Sequence, residues 1–113
     1  MKKFIERRKT APSTFQVGTY SAVLNYLKAV QAVNTTDPKT VIAQMRKTPV
    51  KDAFTSAGSL REDGRMVHDV YLVQIKKPAD SKGEWDLQKV VATLPGKDAF
   101  RTIAEGDCPA FKK

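Results

Sequence analysis

Two β-rich runs separated by a polar connection constrain the fold of this 113-residue chain more than any other feature. The first runs from Val67 to Ile75 and follows Asp63-Gly64, a pair that favours tight turns; the second runs from Trp85 to Thr93. Such runs, bounded by turn residues, predict an antiparallel strand pair. Both alternating residue sets of the first run are partly apolar, so we expect each face of that strand to be at least partly covered.

Two amphipathic helices are predicted before these strands. The second opens at Asp37-Pro38, an N-cap with proline at the first helical position, and stops at Thr48-Pro49. The first extends from about Phe15 to Val33. Its apolar face is predicted to consist of Tyr20, Val23, Leu24, Leu27 and Val30. Two such helices need a flat surface, and we expect them to lie on the β-rich half of the chain. The local expectation is therefore α+β, two main helices with a small antiparallel strand pair.

The size and charge of the chain limit its classes of partner. A chain of 113 residues is one domain or a piece of one. Lysine and arginine total 20 against 12 aspartates and glutamates, a net charge of +8. Zinc-finger spacing and basic stripes interleaved with aromatic residues are both absent from the sequence, which favours a basic solvated surface over a nucleic-acid site. A small basic nucleic-acid-binding module and a dimerising interaction domain are the alternatives. Five of the cations lie at Lys2, Lys3, Arg7, Arg8 and Lys9.

The sequence contains no constellation that predicts catalysis or metal binding. Its one cysteine, Cys108, can form neither an internal disulfide nor a structural zinc site. It is predicted to be a free thiol, or half of a bridge whose partner lies in another segment. The carboxylates are dispersed and lack an apolar setting that would separate their pKa values. We therefore predict no enzyme activity, no metal site and no cofactor.

Aromatic side chains on the first long helix form the one candidate binding surface. Phe15, Tyr20 and Tyr26, with Gln16 nearby, combine aromatic faces with polar tips, a composition that suits small organic ligands. The alternative is that Tyr20 is ordinary core at helical spacing. The periodicity by itself favours this alternative.

Several segments of the chain together resemble the C-terminal end of the periplasmic solute-binding proteins of ABC importers, of the branched-chain amino acid type. The similarity runs over nearly all 113 residues and includes no short diagnostic motif. It implies α/β ancestry of the periplasmic binding protein type I-like kind. Residues 1–113 would then be a single partial domain, the C-terminal portion of a two-lobed solute-binding fold. The similar segments are Phe15 to Val30, Ser59 to Arg65, Val67 to Pro78, Trp85 to Gly96 and Gly106 to Pro109.

The resemblance also implies a function and a set of partners. It implies a substrate-binding protein for amino acids or small organic acids, aromatic acids included, with the ligand in an interlobe cleft. The membrane permease of an ABC importer would be its partner. A tyrosine at the position of Tyr20 commonly contacts the ligand in this family, so Tyr20 is the leading ligand-binding candidate and Gln16 and Phe15 are weaker ones. Separated from the rest of the lobes, such a chain is expected to expose apolar faces and to form homo-oligomers.

The predicted location depends on the same resemblance, which implies the periplasm. Met1 to Ile5 resembles the charged start of a signal peptide, but Glu6 to Lys9 stands where an apolar stretch is needed. We therefore predict no signal peptide in this chain, and a cytoplasmic location if it is expressed as it stands.

Overall fold

The computed structural model describes residues 2–111, which divide into two compact units after Val67. The prediction that residues 1–113 are a single partial domain stays a prediction. The first unit contains helices α1 (Lys2–Arg8), α2 (Thr14–Val33) and α3 (Pro38–Lys47) and strands β1 (Ser59–Leu60) and β2 (Met66–Val67). The second contains strands β3 (Val70–Ile75) and β4 (Gln88–Leu94), helix α4 (Gly96–Ala99) and short 3₁₀ turns.

Helix α2 begins at a reciprocal capping box. The Ser13 hydroxyl accepts the N–H of Gln16 at 3.3 Å, and the Gln16 side-chain oxygen accepts the N–H of Ser13 at 2.9 Å. Two N–H groups that the helix itself cannot satisfy are thereby paired. The helix ends at Asn34, whose left-handed backbone (φ 50°) is one that asparagine adopts at low cost. The predicted helix from about Phe15 to Val33 is confirmed.

Helix α3 has the start that its sequence predicts. The Asp37 carboxylate accepts the N–H of Thr40 at 2.9 Å and its hydroxyl at 2.7 Å. Pro38 occupies the first turn, where its missing N–H leaves nothing unpaired. The hydroxyl and the N–H of Thr40 together lower the pKa of Asp37 below its ordinary value. The helix stops at Thr48, as predicted.

Small residues form the tightest packing of the first unit. Ala29 on α2, Val41 on α3 (2% exposed) and Val50 are its buried apolar side chains among the described residues. Val50 pairs with Gly58 in an isolated antiparallel bridge. A Cβ atom at Gly58 would lie 2.8 Å from Thr55 Cγ2 and 3.3 Å from Val50 Cβ, so a larger residue there would force these stiff side chains to shift.

The predicted apolar face of α2 is not the face that is buried. Tyr20, Val23 and Leu27 are all more than half exposed, whereas Ser21 and Ala29 are buried. Helix α2 contacts α3, and its buried residues Ser21 and Ala29 lie on the side away from this exposed stripe, where small side chains permit close approach. The hydrophobic periodicity therefore identified the helix correctly, but of its predicted apolar face only Leu24 and Val30 are half-buried.

The turn at Asp63-Gly64 joins two short strands. β1 pairs antiparallel with β2, Ser59 opposite Val67 and Leu60 opposite Met66, and Gly64 has φ 82°. The Arg61 guanidinium donates to the Asp63 carboxylate at 2.8 Å and lowers the pKa of Asp63 to about 2. The predicted strand from Val67 to Ile75 is interrupted, because residues 68 and 69 belong to neither β2 nor β3.

The second unit is built on the long antiparallel pair of β3 and β4, which confirms the predicted pairing. Val70 lies opposite Leu94 and Ile75 opposite Gln88, and a bulge leaves Val91 without a directly opposite residue. β4 begins later than predicted because the chain turns at Asp86, which binds Lys76 at 2.7 Å and the N–H of Lys82.

The prediction that each face of this strand is covered is wrong for the described chain. Every residue of β3 and of β4 is exposed. The C-terminal segment contacts the two residues that precede β3: Asp69 accepts the N–H of Gly96 at 3.0 Å, and the His68 and Phe100 rings lie 5.3 Å apart.

Asp52 ties α2 to the segment that follows α3. One carboxylate oxygen accepts the Ser21 hydroxyl at 2.7 Å and the Asn25 amide at 2.8 Å. The other accepts the N–H groups of Phe54 and Thr55. Partial burial acts to raise the pKa of Asp52, but these hydrogen bonds outweigh it, and the pKa is lowered.

We predict that Asp52→Ala lowers the unfolding free energy of the first unit by about 1–3 kcal/mol, because it leaves the buried Ser21 hydroxyl and the Asn25 amide without their acceptor. Urea unfolding followed by helical circular dichroism measures this. Glu62→Ala is the control, since it removes the same charge from an exposed side chain of the same unit. Equal effects of the two substitutions would contradict the role assigned to Asp52.

The lowered pKa of Asp52 also predicts how stability depends on pH. Its stabilising effect is fully present above its unfolded-state pKa, about 3.9, and is lost as the pH falls through the lower folded-state pKa. The stability difference between the unsubstituted chain and Asp52→Asn should therefore be largest near neutral pH and shrink below about pH 4. Urea titrations at several pH values measure it, and a difference that does not change with pH would refute the prediction.

Candidate functional site

The three predicted ligand-binding residues all lie in the first half of α2 and are exposed. Phe15 is 88% exposed, Tyr20 is 55% exposed, and Gln16 is also exposed. The interpretation of Tyr20 as ordinary core, which the periodicity favoured, does not describe the position of this side chain. An exposed aromatic side chain is available to a ligand or to another protein surface.

The helix brings two of the three residues together and separates the third. Gln16 and Tyr20 are one turn apart and share a face. Phe15 lies about 140° around the helix axis from Tyr20, on the side of Tyr26. The sequence-predicted cluster is therefore two surfaces, one with Gln16 and Tyr20 and the other with Phe15 and Tyr26.

The Gln16 side chain already has a structural role. Its carbonyl oxygen is held by the Ser13 N–H in the capping box, which fixes the side chain close to the helix start. The amide nitrogen is the end of this side chain that has hydrogen atoms to donate to a ligand. Tyr20, one turn further on, adds an aromatic face and a hydroxyl that can donate or accept.

The surface that begins at Gln16 and Tyr20 continues along the helix as an apolar stripe. Val23 and Leu27 follow at helical spacing, and both are more than half exposed. The stripe has hydrogen-bonding tips at one end and aliphatic side chains at the other. Such a surface can contact a small amphiphilic molecule, and it contains no group arranged for covalent chemistry.

The sequence reasoning missed Asp52, which positions this helix. Its contacts to Ser21 and Asn25 fix the opposite side of α2 from the apolar stripe. A signal was present in the sequence, since an aspartate that opens a short polar turn commonly accepts the N–H groups two and three residues later. Its contact to a helix about thirty residues earlier had no such signal.

Residues 2–111 contain one free thiol and no cluster of side chains that could hold a metal ion. In that range no three histidine, cysteine, aspartate or glutamate side chains are grouped so that they could hold a metal ion. Cys108 is an exposed free thiol, and the prediction of a bridge to another segment stays a prediction. Within the same range, no helix combines the length and the apolar character needed to cross a membrane.

Comparison with known proteins identifies a family. A family model described as periplasmic binding protein matches residues 1–84. A solved periplasmic binding protein from Burkholderia mallei is 45% identical with a TM-score of 0.91, and the match covers 98% of this chain and 29% of that one. A branched chain amino acid ABC transporter periplasmic ligand-binding protein from Burkholderia xenovorans LB400 is 45% identical with a TM-score of 0.86, covering 92% and 28%. No curated protein matches the chain.

These similarities confirm the predicted resemblance and fold class, with α/β ancestry and a locally α+β appearance. The chain spans less than a third of the length of each solved relative. Periplasmic binding proteins are non-enzymatic transport components that bind a substrate in the periplasm. The match to most of the chain, with 45% identity to solved members, shows that this chain belongs to the periplasmic binding protein family.

Proposed function

We propose that this chain supplies one wall of the ligand site in a solute-binding receptor of an ABC importer. The receptor binds an amino acid or a small organic acid, aromatic acids included, between two lobes and delivers it to a membrane permease. The observation that carries the proposal is the exposed pair of Gln16 and Tyr20 at the capped start of α2, in a chain of this family.

The chemistry of this wall supports a ligand with a polar end and an apolar body. The Tyr20 hydroxyl and the Gln16 amide supply hydrogen bonds, and the Tyr20 ring supplies an apolar face. Phe15 points from a different side of the helix, so it is proposed to contact the ligand only at the edge of the site. The relative from Burkholderia xenovorans is named as a branched chain amino acid ligand-binding protein, which is consistent with this class of ligand.

Capping and packing support a fixed position for this wall. Ser13 and Gln16 hold the start of α2, and Asp52 holds its far side through Ser21 and Asn25. A binding surface on a rigid helix loses less conformational entropy when a ligand binds than a surface on a loop does.

One wall cannot enclose a ligand, which predicts weak binding by the chain alone. Tight sites bury about 70–90% of a small ligand's surface, and α2 contributes contacts from one side only. Calorimetry with leucine, isoleucine, valine, benzoate and phenylacetate should give no dissociation constant below roughly 1 mM, about −4 kcal/mol. Micromolar binding by the 113-residue chain would show that it contains a complete site and would contradict the proposal.

The role of Tyr20 is tested in a chimera that carries residues 1–111 in place of the matching segment of the Burkholderia mallei protein. With the same ligand panel, Tyr20→Ala should weaken binding by at least about tenfold, because it removes both a ring and a hydroxyl from the site. Tyr20→Phe separates the contribution of the hydroxyl from that of the ring.

Tyr26→Ala is the matched control for this experiment, since Tyr26 is a similarly exposed tyrosine on a different side of the same helix. It should change the affinity by less than about twofold. Unchanged affinity in a folded Tyr20→Ala chimera would exclude Tyr20 from the site. A folded chimera that binds none of the panel would instead refute the proposed class of ligand.

A further inference from the structure

The β3–β4 hairpin exposes an apolar surface on one face. Residues directly opposite each other in an antiparallel pair share a face, and alternate residues along a strand point to opposite faces. Ile75 is 69% exposed, and its neighbours on this face are also exposed. The register places on this face Tyr71, Val73, Ile75 and Val90, together with the polar residues Thr93, opposite Tyr71, and Gln88, opposite Ile75.

The other face of the same hairpin is also apolar over most of its length. Leu72 is 56% exposed, and Val70 and Leu94 are exposed opposite each other at the end of the ribbon. Only the end near the connecting loop is polar, where Gln74 lies opposite Lys89. An antiparallel ribbon with one solvated face alternates apolar and polar residues, and this one does not.

A ribbon of this kind is not stable by itself. An isolated two-stranded hairpin is at best marginal in water, and Gly96 is the one buried residue among the described residues of the second unit. β3 contains no charged residue and β4 contains only Lys89. Strands that remain exposed usually carry charges that prevent further pairing. The composition is that of an internal strand pair.

We infer that the β3–β4 hairpin is an internal ribbon of the complete receptor, covered on both faces by polypeptide from the part of the receptor that this chain does not span. The inference rests on the proposed function in one respect, that the chain works within a larger receptor. It does not depend on Tyr20 or on the identity of the ligand.

Two observations favour this occupant over a second copy of the chain. The match to the Burkholderia mallei protein covers 98% of this chain but only 29% of that protein. The same hairpin conformation therefore occurs inside a much longer chain. The net charge of +8 in addition opposes association between identical copies.

The test co-expresses the full 113-residue chain with the part of the Burkholderia mallei protein outside the matching segment. We expect a 1:1 complex by light scattering. Leu72→Lys and Ile75→Lys, one on each face, should each weaken the complex at least about tenfold, because each buries an unpaired charge. Gln74→Glu adds one charge at the polar end, where the opposite Lys89 can pair with it, and should change the affinity by less than about twofold.

The same three substitutions in the single-chain chimera provide a measurement that does not require the separate parts to fold and associate. Leu72→Lys and Ile75→Lys should each lower the melting temperature by roughly 5 °C or more, and Gln74→Glu should leave it nearly unchanged. Melting is measured without ligand, so this result is independent of the ligand site.

Several outcomes would overturn the inference. A chimera that melts normally with lysine at both Leu72 and Ile75 would show that neither face is covered. A loss confined to one of the two substitutions would show a ribbon covered on one face only. If the 113-residue chain forms dimers that the partner polypeptide does not dissociate, the ribbon is a self-association surface instead.

Discussion

The main constraint on this structure is that it buries very little apolar surface. Ala29, Val41 and Val50 are the buried apolar side chains among residues 2–111, while most of the large aliphatic and aromatic side chains of α2, β3 and β4 are exposed. Folding of a domain of this size normally buries well over half of the surface that the unfolded chain exposes. The described residues do not reach a packing of that kind, which is why we propose that further polypeptide covers the exposed faces.

Local hydrogen bonds fix the starts of helices α2 and α3, which tertiary packing stabilises only weakly. The capping box at Ser13 and Gln16 and the N-cap at Asp37 satisfy helix ends in ways that require no tertiary contact. Asp52 is the exception, because it connects α2 to a segment that follows α3. These interactions explain how one helix can be held in place while presenting an uncovered apolar stripe.

The family assignment suggests why α2 and the β3–β4 hairpin expose apolar surfaces. This chain matches 29% of the Burkholderia mallei protein. A segment of that size in a solute-binding receptor is expected to have some surfaces that face the rest of the receptor and others that face the ligand. The exposed start of α2, with Gln16 and Tyr20, suits a ligand because its aromatic surface has polar tips. The hairpin suits protein packing because it exposes aliphatic side chains on both of its faces.

The sequence by itself determined the two long helices and the pairing of the two long strands. Caps and turns act within a few residues, so Asp37-Pro38 and Asp63-Gly64 were informative without a structure. It also pointed to Tyr20, Gln16 and Phe15, whose part in a site is still a proposal. The tertiary structure alone decided which side of α2 is buried, because Ser21 and Ala29 pack closely where larger residues cannot. It also decided that Val67 and Val70 belong to different strands and that Asp52 holds α2, since contacts between distant residues depend on packing that no local pattern records.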